Sequence, residues 1–367
     1  MADPRVDKLA QVLVRYSLAL QPGEQFLLSS TALAHELTLA VYKESIFAGA
    51  HVFVMQQVPG LREIFLKNAN DAQIEYLSPI RKLIYETFDA ELSIIAPANL
   101  RELAGVDPQR QTLAMKPIKE LTRIANQRSA RGSERRLCIT LFPTAALAQE
   151  ADMSLMEYEE FVFSAGLLHL PDPVEAWKQE ARKQEHMIRW LNGRDKVVFS
   201  GPDIDLRLSI KDRVFMGASG TGNFPDGEIF TSPLESSVEG WVRCTYPCIY
   251  AGHEIKDIEL WFEGGRVIRE KASSGQAELT ALLNSDGGAR ILGEWGIGTN
   301  YGIQRFTRNM LFDEKIGGTV HFAVGEGFIE CGGQNHSGLH WDILCNMTQA
   351  EIRVDGELFY RDGKVVI

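Results

Sequence analysis

The hydrophobic pattern of this chain changes period once, near residue 195. Before that point, stretches with apolar positions every three or four residues alternate with short apolar runs rich in β-formers. This predicts helices over 4–20, 34–48, 70–88 and 116–127 and strands over 25–29, 51–56, 92–96 and 137–142. Strands separated by helices imply a mostly parallel sheet covered on both faces. A last helix over 173–191, rich in Lys, Arg, Glu and Gln, ends at the Asn192-Gly193 pair. From Lys196 onward the spacing is that of strands: KVVFSG, IDLRLSI, VRCTYPCIYAG, DIELWFEGGRVI, GGTVHFAVGEG and AEIRVDGELFYRDGKVVI. Glu263-Gly264-Gly265 and Arg361-Asp362-Gly363 read as hairpin connections, and one helix over 275–283 and a short one after Gly302 interrupt the strands. The expected fold is an α/β N-terminal domain with a mostly parallel sheet, residues 1–195, followed by a β-rich α+β domain, residues 196–367.

Composition narrows the class. A chain of 367 residues suits two domains of about 150 residues each, and a hydrophobic content of 45% is ample for their cores. The opening MADPRVDKLAQVLVRY carries charge throughout, and no run reaches the ~18 apolar residues of a membrane span. The expectation is a cytoplasmic protein with no membrane contact. Five scattered cysteines, an odd number, fit reduced thiols better than a disulfide framework. The net charge of −11, from 38 basic and 49 acidic residues, argues against a nucleic-acid partner, whose phosphates need clustered Lys and Arg. The one basic run, RSARGSERR at 128–136, reads as a solvated loop. MGASGTG at 216–222 lacks the Lys-Ser/Thr ending of a phosphate loop and lies among strands. Cys331 belongs to no Cys-His-Asn arrangement and reads as a packed thiol.

Chemistry concentrates near the C-terminus, where GGTVHFAVGEGF and CGGQNHSGLHWD present His321, His340 and Asp342 among glycines and β-formers. Two neutral imidazoles and a carboxylate suit a divalent metal and leave positions open for water and substrate. A structural zinc site would be closed by thiolates, and the chain has no Cys-x-x-Cys. Glu228 in TGNFPDGEIFTSPLE and Glu294 in ILGEWGIGTN lie in Gly-rich stretches where a side chain can be aimed at a site. Together the five supply enough O and N donors for two adjacent divalent ions, the arrangement that activates a water and polarises a carbonyl.

PDGEIFTSPLESSVEG, LGEWGIGTN, FDEKIGGTVHFAVG and CGGQNHSGLHWD resemble, in order and spacing, the signature segments of the thermophilic-type metallo-aminopeptidases. LAQVLVRYSLALQPGEQFLLSS is similar to that family's first helix and strand, so the resemblance spans nearly the whole chain. It implies a homodimeric exopeptidase that releases N-terminal amino acids from short peptides through a metal-activated water. It also implies two divalent ions, commonly zinc, cobalt or manganese, with Glu228, Glu294, His321, His340 and Asp342 as ligands. Either Glu228 or Glu294 is then the carboxylate that moves the proton.

One position departs from the family pattern. Relatives resembling aminopeptidase T carry a tyrosine seven residues after the first ligand histidine, and here that position is Phe328, which neither donates a hydrogen bond nor ligates. Loss of one preorganised oxyanion donor typically costs about 10²–10³ in rate. Tyr301 and His336 are the accessory groups considered as substitutes. Two other readings compete. His321, His340 and Asp342 also form the two-histidine, one-carboxylate set of non-haem Fe(II) enzymes, and a ring-cleaving dioxygenase is similar to this fold. The third reading is a non-catalytic protein that keeps the scaffold.

Overall fold

The structure, a computed structural model, describes residues 3–129, 135–250 and 253–367. Contacts divide it into two compact units, residues 1–176 with 220–225, and residues 177–219 with 226–367.

In the first unit the α/β alternation yields five parallel strands in the order His51–Gln57, Gln25–Thr31, Ala90–Ile95, Arg136–Leu141, Asn223–Phe224. The interior strand Gln25–Thr31 is buried along nearly its whole length, as expected where helices cover both faces. The helix expected over 70–88 is broken into Asp71–Ile74 and Pro79–Thr87, with a further helix at Leu61–Asn68. Pro79 has no N–H to continue a preceding helix and instead occupies the first turn of a new one. Helices Pro108–Leu113, Ala145–Glu150 and Leu155–Ala165, also without a sequence expectation, complete the unit, the last opened by a Ser154–Glu157 capping box. Of the basic run, residues 130–134 lie outside the described residues, while Arg128 and Arg136 pair with Asp89 and Glu24.

The division between these contact units falls inside helix Pro173–Leu191, whose Met187 and Leu191 pack into the core of the second unit. Residues 220–225 belong to the first unit, where Asn223–Phe224 adds the edge strand beside Arg136–Leu141.

The second unit stacks two antiparallel sheets. One has eight strands, with Lys196–Gly201 and Ile204–Ser209 near its middle. The other is a five-stranded meander of Met216–Ala218 (β1), Glu228–Thr231 (β2), Leu292–Gly298 (β3), Thr319–Gly325 (β4) and His340–Asn346 (β5), each paired with the next. The core lies between the sheets: Phe199 from the larger one meets Trp295 on β3 and Phe322 on β4 edge to face, at 5.2 and 5.5 Å. β3 and β4 are buried at every residue, so their second face is also covered, and that face carries the site. Segment 216–222 contributes β1 and opens no helix, in keeping with its reading as something other than a phosphate loop.

Candidate metal centre

Side chains alternate between faces along a strand. On β3 and β4, Trp295, Ile297, Phe322 and Val324 therefore face the core while Glu294, Gly296, His321 and Ala323 share the opposite face. The register places Glu228 of β2 opposite Gly298, His321 opposite Gly296, Asp342 of β5 opposite Ala323, and His340 opposite Gly325. Glu228, Glu294, His321, His340 and Asp342 thus come from four adjacent strands onto one face, and small residues between them leave the room. At Gly296 the room is strict, since a Cβ there would lie 1.9 Å from His321 Nε2.

His321 Nε2 stands 3.3 Å from Glu228 Oε2 and 3.4 Å from Glu294 Oε1. His340 Nε2 stands 3.1 Å from Glu294 Oε2 and 3.7 Å from Asp342 Oδ1. Glu294 therefore divides its two oxygens between the two imidazoles. Donor atoms of Glu294, His340 and Asp342 lie within 4.8 Å of one another. His340 Nδ1–H donates to the Glu326 carbonyl at 2.9 Å, which fixes the ring with Nε2 turned to the carboxylates.

Electrostatics follow from burial. Desolvation pushes Glu228 up to about 8 and Asp342 up to about 7. Glu294 feels the same burial, yet the hydrogen bonds of His321 and His340 outweigh it and bring its carboxyl down to about 2. Burial disfavours the charged imidazoles, and the surrounding carboxylates more than reverse this, raising His321 to about 10 and His340 to about 9. Three buried carboxylates meeting two imidazoles form a site that needs cations. Glu228 Oε2, Asp342 Oδ1 and His321 Nδ1 are buried without hydrogen-bond partners, and the donor set is the O and N mixture that suits a hard or borderline divalent metal.

Sequence reasoning passed over Lys315. Fully buried, its ammonium lies 2.6 Å from Glu228 Oε1 and 3.6 Å from Asp226 Oδ1 and also pairs with Glu314. Burial alone would lower its pKa, but the three carboxylates hold it well above the usual lysine range. The signal was present in FDEKIGGT, a lysine six residues before His321, but lysines on a surface look the same in one dimension.

Of the accessory positions, Phe328 is at the site, its ring 5.0 Å from that of His340 and 5.1 Å from Phe230. Tyr301 and His336 are directed elsewhere. The Tyr301 hydroxyl donates to the Gly363 carbonyl at 3.0 Å, and His336 is exposed beside Glu326. Cys331 is buried, and burial pushes its thiol up to about 12, which suits packing and not nucleophilic attack.

A buried face of carboxylates and imidazoles on an antiparallel sheet is a candidate metal centre, in which Glu294, His340 and Asp342 could hold an ion. The chain belongs to the thermophilic metalloprotease (M29) family, whose model matches residues 2–365. It is similar to "Aminopeptidase 2" of Geobacillus stearothermophilus, 28% identical, with 99% of this chain and 95% of the relative covered. Among solved structures, wild-type AmpT from Thermus thermophilus superposes with a TM-score of 0.85 at 22% identity, covering 99% of both chains. The 2,5-dihydroxypyridine dioxygenase of Pseudomonas putida shares the fold more distantly, with a TM-score of 0.57 at 14% identity over 99% of this chain and 96% of its own.

Proposed function

We infer that this protein is a metallo-aminopeptidase that releases N-terminal amino acids from short peptides, with residues 196–367 as its catalytic domain. The observation that carries the site assignment is the convergence of Glu228, Glu294, His321, His340 and Asp342 on one buried sheet face, within a chain of the metalloprotease family. We assign these five as ligands of two divalent ions, zinc, cobalt or manganese. The chemistry such ions supply when bound is acidification of a water and polarisation of the scissile carbonyl. Glu294, with one oxygen toward each imidazole, would hold the ions together with His321 and His340. Glu228, held at Oε1 by Lys315, presents Oε2 toward His321 as the second carboxylate of the pair. The peptide lies against the open side of His340, whose side chain is 31% exposed while those of His321 and Glu294 are 1% and 5% exposed.

A homodimer in the cytoplasm is part of the same proposal. Five free cysteines, two of which, Cys244 and Cys345, approach to 3.2 Å between sulfurs, favour a reducing compartment. Among the described residues no helix is long and apolar enough to cross a membrane. The mononuclear iron reading has less support, because it leaves Glu228 and Glu294 without a role although both are buried within 3.4 Å of His321. The non-catalytic reading would leave this buried charge unexplained.

The test is Glu228→Ala, assayed for free amino acid released from short peptides and for bound metal. Release should be abolished and metal content should fall; undiminished release refutes the assignment.

A further inference from the structure

Beside the cluster lies a cavity of about 140 Å³, with His340 and Asp342 on one side of it. An apolar cavity of about 150 Å³ holds one benzene, so this space suits a single six-membered ring. Three aromatic side chains, Tyr250, Phe306 and Trp341, line it with apolar Ile249 and Met310, and Tyr250 meets Trp341 edge to face at 6.2 Å. Two charged side chains, Arg308 and Asp313, also line it.

Asp313 is fully buried. Its Oδ1 accepts from the Thr307 backbone N–H at 2.7 Å and from Thr307 Oγ1 at 2.9 Å. Its Oδ2 is buried with no hydrogen-bond partner. Burial pushes this carboxyl up to about 7, against the opposing pull of the Thr307 bonds and of the Asn309 backbone N–H. At an assay pH above 7 the carboxyl is ionised, and Oδ2 beside the cavity is then an acceptor that a ligand bringing a donor satisfies.

We propose that this cavity receives the side chain of the substrate's first residue and that Asp313 selects tyrosine there, with Oδ2 accepting the phenolic hydroxyl. The proposal rests on the aminopeptidase reading, since an exopeptidase that holds the first carbonyl at the cluster must direct the first side chain into adjoining space. The ring fits the volume and the aromatic walls. Phenylalanine and leucine fill the same space but leave Oδ2 unpaired. Lysine and arginine bring donors but place a second cation beside Arg308, which also lines the cavity. A hydrogen bond to a carboxylate corresponds to a preference of about 10- to 150-fold for tyrosine over phenylalanine.

The experiment measures kcat/KM for tyrosyl-, phenylalanyl-, leucyl- and lysyl-p-nitroanilides with metal-supplemented wild type, Asp313→Asn and Asp313→Leu, together with inhibition by free L-tyrosine and L-phenylalanine. The wild type should favour tyrosine by the stated factor in both rate and inhibition, Asp313→Asn should narrow the ratio, and Asp313→Leu should bring it near one. A wild-type ratio at or below one, a ratio that survives Asp313→Leu, or faster turnover of the lysyl substrate overturns the proposal while leaving the aminopeptidase reading intact. If Asp313→Leu does not fold, the wild-type ratios and the inhibition constants decide. Hydrolysis of none of the four refutes the aminopeptidase reading and this proposal with it.

Discussion

Gly296 is where the sheet makes room for the site, and Gly296→Ala is a perturbation of one methyl group. A Cβ on this residue would come within 1.9 Å of His321 Nε2, 2.2 Å of Cε1 and 2.8 Å of Cδ2. Ordinary contacts between such atoms are about 3.5–4.0 Å, so the imidazole must retreat by about 1.5–2 Å. The backbone has little freedom to give way instead, because β3 pairs with β2 on one side and β4 on the other. A displacement of about 1 Å at reacting groups is sufficient to lose about 10² in rate, so kcat/KM on an aminoacyl-p-nitroanilide should fall by at least that factor. Bound metal, measured after dialysis, should fall with it. Overpacking of this kind destabilises by about 1–3 kcal/mol, which thermal unfolding reports separately. Gly287→Ala is the control, since a Cβ there meets nothing within 4 Å. Full metal content and wild-type kcat/KM in Gly296→Ala would refute the placement of His321 in the site.

Three further outcomes are expected. Lys315→Met leaves Glu228, Asp226 and Glu314 without their shared cation, and urea unfolding should show a loss of about 3–5 kcal/mol; a loss below about 1 kcal/mol, the range of exposed pairs, would contradict this role. Phe328→Tyr sets a hydroxyl beside His340 and should raise kcat by about 10² with KM little changed; no gain would mean that the oxyanion is stabilised without this position. Asp313, with its folded pKa raised by burial to about 7 from 3.8, keeps a proton that the unfolded chain releases. Its contribution to stability is therefore fully present below pH 3.8 and lost as pH rises to about 7, at up to about 1.4 kcal/mol per pH unit. The stability difference between wild type and Asp313→Asn, followed by urea unfolding from about pH 5 to pH 8, should fall with pH and level off; a flat or rising difference contradicts the burial argument.

How much was legible in one dimension depended on whether a feature was local. Helix Pro173–Leu191 and strand His51–Gln57 follow from periodicity and from nearby stop signals. The broken helix at 70–88 was misread because the apolar period continues through Ser78-Pro79, while the proline's missing N–H forces a restart. No local signal reveals that Met187 and Leu191 of the helix before residue 195 pack into a core built mainly from strands far along the chain. At the site, His321 stood out among glycines and β-formers, whereas Glu294, whose neighbouring glycines suggest an irregular stretch, sits on β3, a strand buried at every residue. Lys315 and Asp313 had no comparable contrast, since each sits in a polar turn sequence and is buried only by tertiary packing.

The most direct measurement follows release of the N-terminal amino acid from a short peptide and from its N-acetylated form, with metal content determined alongside, before chelation, after chelation and after restoring Zn, Co or Mn. The free-amine peptide should be cleaved, cleavage should stop when the metal is removed and return when it is restored, and the acetylated peptide should stay intact throughout. Cleavage that continues with metal content at background, or equal cleavage of the acetylated peptide, would contradict a metal-dependent aminopeptidase.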